Sequence, residues 1–309
     1  MRALRWLAGL AGAALLTLAG GVGSSSARPA VDYRTPGAQV PRILQAGLPG
    51  VSFAHPARGT LYVCSGGRLS LNGDNPWVVR HGTAIDLSKR PFVAGEAHWK
   101  SVFSVTTDGP WRHFTGNGLP DHPTGVFPVP QGTAAYQYYV QGNGGSLSSA
   151  AAFPIVAYHL DYSVPLRPEV AAHPSCLGDI TIGVALTGAT FHDSVSVEFK
   201  DPQVELPLDQ CFGHPDPFGR YHYHAPAFPC FAQGNRHGPS PLVGYALDGF
   251  GIYGPRGTDG RPVTNAQLDE CHGLVSKVMW DGRLTRIYHY VLNSQYPYNI
   301  GCFRGTPHY

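Results

Sequence analysis

The chain has 309 residues and a formal net charge of +2, and only 14% of its residues are charged. No block of lysine and arginine occurs, so the sequence does not predict a nucleic-acid partner, which would require a basic surface stripe. Glycine (39 residues) and proline (28 residues) are abundant, and aromatic residues make up 11% of the chain. This composition argues against a disordered chain and predicts many turns and few long helices.

The first residues have the three-part layout of a secretory signal peptide. Two arginines in MRALRW precede the apolar run LAGLAGAALLTLAGG, and the small residues Ser25 and Ala27 end the segment. This pattern predicts a signal peptide over residues 1–27; the apolar run is short for a membrane anchor. No later run reaches the ~20 apolar residues that cross a bilayer. We therefore expect a secreted or extracytoplasmic protein with no membrane span after signal cleavage.

The mature chain predicts a mainly β fold, in which residues 28–110 form an N-terminal β-rich segment and residues 111–309 the principal domain. The sequence leaves open whether the first segment belongs to the same domain. Asn72-Gly73, Asp108-Gly109 and Asn143-Gly144 each follow an apolar run such as SVFSVTT or AAYQYYVQ. Such dipeptides predict hairpin turns between strands, because both residues tolerate positive φ angles.

One short helix is predicted near the end of the chain. Thr264 and Gln267 have the spacing of a capping box, and Gly273 can end a helix. The segment NAQLDECH (265–272) is therefore expected to be helical. Together these patterns predict a compact β-rich domain with long loops and one short helix.

All six cysteines lie in the predicted mature chain, and an even count in an exported protein predicts disulfide bonds. Six cysteines allow 15 connectivities, among which the sequence alone does not choose. The chain contains no CxxC motif, so the sequence predicts neither a zinc ribbon nor a thioredoxin-type redox site. Short loops favour the pairs Cys211–Cys230 and Cys271–Cys302, which leaves Cys64–Cys176.

The tetrapeptide YHYH (221–224) is the first candidate functional motif. Side chains two apart on a strand share a face, with Cβ atoms roughly 7 Å apart at a rise of ~3.3 Å per residue. His222 and His224 would then point the same way, while Tyr221 and Tyr223 fill the core. Two imidazoles at this spacing can converge on one metal ion through bonds of ~2.0–2.1 Å.

A second segment, Tyr288-His289-Tyr290, repeats part of this motif, and each copy is followed by a proline and then a cysteine. His289 would join the site if the two segments pair as neighbouring strands. His214 lies a short loop upstream and could also reach it. Three histidines would leave an open coordination position and four would close the site. The alternative is a structural network of tyrosines and histidines without a metal.

The remaining histidines are expected at the surface or in loops, and His192 is among them. His122 and His272 stand out slightly because they lie in motif-like loops, GLPDHP and LDECHG.

Several carboxylates could assist a metal site. Asp248 lies between apolar residues in GYALDGFGIYGP, where an unpaired carboxylate would be costly to bury. It is either the Asp of an Asp-Gly turn or a group that orients a ligating imidazole or acts as a base. Asp269, Glu270 and Asp209 could have the same role. The chain has no GxSxG elbow and no phosphate-binding glycine loop, so no catalytic residue is assigned.

Together these motifs resemble the YHYH domain family, which is named for this tetrapeptide. The matching segments occur in order as TGNGLPDHPTGVFP (115–128), IGVALTG (182–188), LDQCFGHPDPFGRYHYHAPAFPC (208–230), SPLVGYALDGFGIYGP (240–255), LDECHG (268–273) and YHYVLNSQYPYNIGCFRG (288–305). The resemblance implies an exported, β-rich protein of largely uncharacterised function, with the YHYH domain over residues 111–309. It does not supply a reaction.

Three positions depart from the family pattern. Val291 stands where relatives often have the last histidine of a second YHYH, Gly251 where proline is more frequent, and His272 where asparagine is usual. Val291 removes a possible ligand, which argues against a symmetric four-histidine site.

The leading hypothesis is an extracytoplasmic metal-binding protein with His222, His224, His214 and His289 as ligands. Imidazole ligands in an oxidising compartment suit zinc or copper. One alternative is a metal-dependent hydrolase, in which a metal-bound water is activated and a carboxylate such as Asp248 or Glu270 is the base. The other is a non-enzymatic structural or surface-interaction protein. The sequence identifies neither a substrate nor a ligand.

Overall fold

The computed structural model describes residues 41–47, 50–66, 75–141, 150–178, 180–196, 199–224, 228–232, 234–235 and 237–309. The predicted signal peptide and the Asn72-Gly73 and Asn143-Gly144 turns lie outside these ranges. Within them, no helix has both the length and the apolar character needed to cross a membrane.

Short strands form two small sheets in the N-terminal segment. A parallel pair joins two of them, and the other three form an antiparallel sheet in the order β1-β5-β4. These strands are β1 (Ile43–Gln45), β2 (Val51–Ser52), β3 (Leu61–Tyr62), β4 (Val78–Val79) and β5 (Ala84–Asp86). The segment is tied to later residues by the Cys64–Cys176 disulfide and by backbone pairing of Val63 with Leu177. The division at residue 110 stays a prediction.

A three-stranded antiparallel sheet follows, made of β6 (Phe103–Asp108), β7 (Trp111–Gly116) and β8 (Leu160–Pro165). The predicted Asp108-Gly109 turn joins β6 to β7, and Gly109 has the positive φ (51°) that such a turn requires.

The main structural unit is an eight-stranded mixed sheet in the order β11-β12-β10-β9-β13-β14-β16-β15. The β10–β12 and β14–β16 pairs are parallel, and the other pairs are antiparallel. Its strands are β9 (Thr181–Ala185), β10 (Thr190–His192), β11 (Gly213–Pro215), β12 (Tyr221–Tyr223), β13 (Leu242–Ala246), β14 (Gly251–Tyr253), β15 (Gly273–Trp280) and β16 (Arg283–Val291). The mainly β prediction is confirmed.

Among the described residues, the largest fully buried side chains are tyrosines and phenylalanines, together with Trp77. Tyr221 and Tyr223 are fully buried, as the alternation in YHYH predicts, and Tyr223 packs against Phe191 and Phe231. The three disulfides have the pairing favoured by the loop lengths, Cys64–Cys176, Cys211–Cys230 and Cys271–Cys302.

Two local predictions were wrong. AAYQYYVQ contains a helix, α1 (Ala134–Tyr139), because the Thr133 side chain caps it by accepting the Tyr136 N–H (3.1 Å), which outweighs the strand propensity of the tyrosines. A second short helix is α2 (Pro202–Glu205).

The helix predicted over 265–272 is a single 3-10 turn, Asn265–Gln267, although the capping box is present. The Asp269 carboxylate accepts the backbone N–H groups of Cys271 and Gly273 (3.0 and 2.9 Å), and this local bonding replaces a longer helix.

Candidate metal centre

Three neighbouring strands place four histidines on one face of the eight-stranded sheet. His222 lies on β12, directly opposite His214 of β11, and His224 follows two residues later on the same face. The parallel register pairs Thr190 of β10 with His222, so His192 at the end of β10 lies beside His224. We call these four residues the histidine cluster; all are buried, with between 2% and 6% of their surface exposed.

The rings of the cluster are in direct contact. The His192 and His222 rings are stacked with centroids 3.7 Å apart, and the His214 ring lies 4.5 Å from His222 and 5.3 Å from His224. One nitrogen from each of His192, His222 and His224 lies within 4.8 Å of the other two, close enough to ligate one metal ion.

Backbone carbonyls orient the two histidines of the motif. His222 Nδ1 lies 3.0 Å from the Arg220 carbonyl oxygen, and His224 Nδ1 lies 2.6 Å from that of Asp193. A carbonyl oxygen only accepts, so Nδ1 carries the hydrogen in each neutral ring and Nε2 keeps its lone pair. The two Nε2 atoms are 3.0 Å apart, so two lone pairs face each other.

His214 is buried without a hydrogen-bond partner on either ring nitrogen among the described residues. Among the described residues, the His192 ring has one hydrogen-bond contact, from Nε2 to the Thr181 hydroxyl (3.3 Å). A buried polar atom without a partner carries a desolvation cost of ~1–3 kcal/mol, which a ligand on that atom would offset.

Burial keeps all four rings neutral at physiological pH. Desolvation lowers the pKa of His222 to about 4, and desolvation with the neighbouring His222 lowers that of His224 to about 3. Desolvation and the adjacent imidazoles hold the pKa values of His192 and His214 well below 6.5. The cluster therefore presents neutral nitrogen donors, the form that binds metals.

The backbone that carries the cluster is held by the loop after β16. Asn299 Nδ2 donates to the His192 carbonyl (3.0 Å), and the Ser194 hydroxyl lies 3.0 Å from the His224 carbonyl and from Asn299 Oδ1. Polar contacts thus fix β10 and the end of β12 relative to each other.

His289 is not part of the histidine cluster. Its strand, β16, is separated from β12 by β10, β9, β13 and β14. The two segments therefore do not pair as neighbouring strands, which was the condition for His289 to join the site. His289 is buried, with Nδ1 3.1 Å from the Ile287 carbonyl and Nε2 3.5 Å from the Ser276 hydroxyl.

The candidate carboxylates lie elsewhere. Asp209 accepts from the backbone of Gly125, Cys211 and Gly213 and from Tyr221, and burial raises its pKa to about 6.

Asp248 accepts from the Tyr290 hydroxyl (2.5 Å) and from backbone N–H groups, and Asp269 accepts from Tyr288 (3.1 Å). Within the described ranges, no hydrogen bond links these carboxylates or Glu270 to the histidine cluster.

A second group, His122 with Cys211 and Cys230, also has metal-ligand spacing. The two sulfurs are bonded to each other, so no thiolate is present while the bridge is intact. His122 Nε2 lies 2.6 Å from the Tyr223 hydroxyl, which places it on the face of β12 opposite His222.

His192, which was predicted to lie at the surface or in a loop, is buried against His222. The signal that could have found it is a second internal similarity, between IGVALTGATFH (182–192) and VGYALDGFGIY (243–253). That similarity marks residues 190–192 as a strand within a repeated unit.

Part of the chain, including residues 182–192, resembles a known protein family. No curated protein and no solved structure matches the chain. Residues 161–263 match the family described as YHYH protein, and this range includes all four residues of the histidine cluster. The chain therefore contains a segment, residues 161–263, that matches the YHYH family.

Proposed function

We propose that this protein binds a transition-metal ion, zinc or copper, through His192, His222 and His224, with His214 as a fourth ligand. The observation that carries the proposal is the 3.0 Å contact between the Nε2 atoms of His222 and His224, each fixed as a lone-pair donor by a carbonyl on its Nδ1.

Two facing lone pairs repel unless a positive charge lies between them. A shared proton is disfavoured, because burial lowers the pKa values of His222 and His224 to about 4 and 3. A metal ion supplies the charge without protonating either ring. Bonds of ~2.0–2.1 Å at tetrahedral angles place ligand nitrogens roughly 3.3 Å apart, close to the separation observed.

His214 supports the same conclusion. Its ring is buried beside His222 and His224 with both nitrogens unpartnered among the described residues, so an ion in the cluster would give one nitrogen a partner and reduce the desolvation cost of the ring. Neutral imidazoles suit both zinc and copper, and the metal available in the compartment decides between them.

We also propose that the chain is exported. Three disulfides are typical of an oxidising compartment, in agreement with a signal peptide over residues 1–27. We place the protein outside the cytoplasm.

Binding is favoured over hydrolysis because Asp248, one of the two carboxylates suggested as a base, supports the fold instead. Asp248 is engaged by Tyr290 and by the backbone of Phe250, Arg304 and Gly305. The four rings are also at most 6% exposed, which leaves little access for a substrate.

The test is titration of the purified protein, first stripped with a chelator, with zinc and copper separately in a calorimeter. We expect one ion per chain. Replacing His222→Ala together with His224→Ala should lower the affinity by more than ~100-fold, beyond the ~10–100-fold typical of residues that only orient ligands.

The matched control is His289→Ala, a buried histidine outside the cluster, which should still bind one ion. A folded wild-type protein that binds neither metal, or a double variant with unchanged affinity, would overturn the proposal and leave the structural role.

A further inference from the structure

The two halves of the eight-stranded sheet have the same topology. Strands β9 to β12 form one half and β13 to β16 the other, and the antiparallel β9–β13 pair joins them at the centre. In each half, a hairpin (β9–β10 or β13–β14) pairs in parallel with the last strand, which then pairs antiparallel with an edge strand.

The central hairpins are equivalent bond by bond. Ala185 N–H donates to the Ala189 carbonyl and Ala246 N–H to that of Phe250, both at 2.9 Å. Each hairpin also donates one bond to the other, from Leu186 to Val243 (2.8 Å) and from Leu247 to Ile182 (3.0 Å).

Glycines allow the two central strands to approach. A Cβ on Gly183 would lie 2.6 Å from the Tyr245 carbonyl oxygen, and one on Gly244 would lie 2.5 Å from that of Val184. The close approach is therefore the same from both sides.

The loops that precede the edge strands β11 and β15 share a second arrangement of hydrogen bonds. Asp209 accepts the N–H groups of Cys211 and Gly213 and the Tyr221 hydroxyl. The tight turn that follows places Phe212 at φ 58°.

Asp269 makes the same contacts with Cys271, Gly273 and Tyr288, and His272 has φ 70° in the equivalent turn. Positive φ at a non-glycine residue is uncommon, so its recurrence at equivalent positions is a specific similarity.

These equivalences relate each ligand position to a residue of the second half. His222 corresponds to His289, whose Nδ1 also lies against the carbonyl of the residue two before it. His214 pairs with His222 in register, and Leu274 pairs with His289.

His192 corresponds to Tyr253, because Phe191 and Ile252 occupy the same position in the parallel pairs. His224 corresponds to Val291, since each backbone N–H donates to the residue after the disulfide-bonded cysteine, Phe212 or His272 (3.2 Å in both).

We infer that the sheet is an internal duplication, and that its second half keeps the framework of a metal centre in which tyrosine, leucine and valine replace three ligands. The ligand part rests on the proposed function. Leu274 and Val291 have no polar side-chain atom to desolvate, and the Tyr253 hydroxyl donates to the Met279 carbonyl (2.7 Å), so none of the three side chains needs a metal ion as a partner.

The first test restores ligands in the second half. Tyr253→His with Leu274→His, beside the native His289, should recreate the positions of His192, His214 and His222. We expect calorimetry with zinc to give two ions per chain for this variant and one for the wild type. Adding Val291→His should tighten the second site.

The second test exchanges residues in the opposite direction. His192→Tyr, His214→Leu and His224→Val together copy the second half into the first, and the variant should fold without binding zinc. The control replaces the same three histidines by aspartate, which should unfold the protein because three carboxylates would be buried unpaired.

The outcomes are separable. A wild type that binds neither zinc nor copper refutes the proposed function but not the duplication, which the folded exchange variant would still support. A wild type with one ion and a folded Tyr253→His, Leu274→His variant that also binds only one refutes the equivalence of the two frameworks. Unfolding of the exchange variant refutes it as well.

Discussion

Single residues of this protein show how the backbone decides which side-chain atoms are available for chemistry. Carbonyl oxygens hold the Nδ1 atoms of His222, His224 and His289, so each ring presents Nε2. In the histidine cluster, Nε2 faces other imidazoles; at His289 it faces the Ser276 hydroxyl. The same residue type in the same local conformation therefore has two environments, set by the strands on either side.

His272 should make the fold sensitive to acid. It is buried with Nε2 unpartnered among the described residues, and desolvation lowers its pKa to about 3, although Asn293 acts in the opposite direction. The unfolded value is about 6.5, so between these pH values only the unfolded chain takes up the proton. The stability that neutral His272 permits is thus lost as the pH falls from about 6.5 towards 3, by up to ~1.4 kcal/mol per pH unit.

His272→Asn should reduce this loss, and asparagine tolerates the positive φ of the site. The measurement is urea unfolding at about pH 7 and pH 4.5 with a chelator present, so that metal release does not contribute. The exposed His237→Asn serves as the control and should keep the wild-type acid dependence. Equal acid dependence in wild type and His272→Asn would contradict the assignment.

At the scale of secondary structure, one glycine in each outer strand pair lets its two strands approach closely. A Cβ on Gly213 would lie 2.8 Å from the His222 carbonyl oxygen, and one on Gly273 would lie 2.8 Å from that of His289; both would also collide with a tyrosine ring. The β11–β12 and β15–β16 pairs therefore depend on glycine for the same reason.

Alanine at either glycine should destabilise the protein by about 1–3 kcal/mol, because backbone or a buried ring must move. Gly213→Ala should also weaken zinc binding, since it displaces the strand that carries His222, whereas Gly273→Ala should leave the affinity unchanged. Urea unfolding and zinc calorimetry on both variants make the comparison. Equal zinc affinities would show that β12 does not position the site.

At the scale of the whole molecule, one disulfide joins Cys64, near the N-terminal strands, to Cys176, in the part of the chain that matches the YHYH family. Cys64–Cys176 spans 112 residues of chain, against 31 for Cys271–Cys302. A crosslink stabilises mainly by restricting the unfolded chain, and the chain-entropy model gives more stabilisation for the longer loop.

Removing the long-range bridge (Cys64→Ala with Cys176→Ala) should therefore cost roughly 1 kcal/mol more than removing the short one (Cys271→Ala with Cys302→Ala). Urea midpoints and slopes of the two double variants test this. Similar losses would indicate that the N-terminal segment contributes little to cooperative folding.

Most of the local structure could be predicted from residue patterns. The alternation in YHYH predicted a strand with tyrosines in the core, Asp108-Gly109 predicted a hairpin, and loop lengths indicated the disulfide pairs. The failures were also local: Thr133 caps a helix where tyrosines favour a strand, and the Asp269 carboxylate ends a helix after one turn.

By itself, the sequence determined the β-rich class and the orientation of His222 and His224 on one strand face, because each depends on neighbours in the chain. Loop lengths favoured three disulfide pairs but did not decide among the 15 connectivities. Only the tertiary structure decided which other imidazoles meet those of His222 and His224. His192 reaches the site through a parallel strand pair, and His289 is excluded because four strands separate it from β12. Strand order depends on how whole hairpins pack and pair over long sequence separations, and no short pattern encodes it.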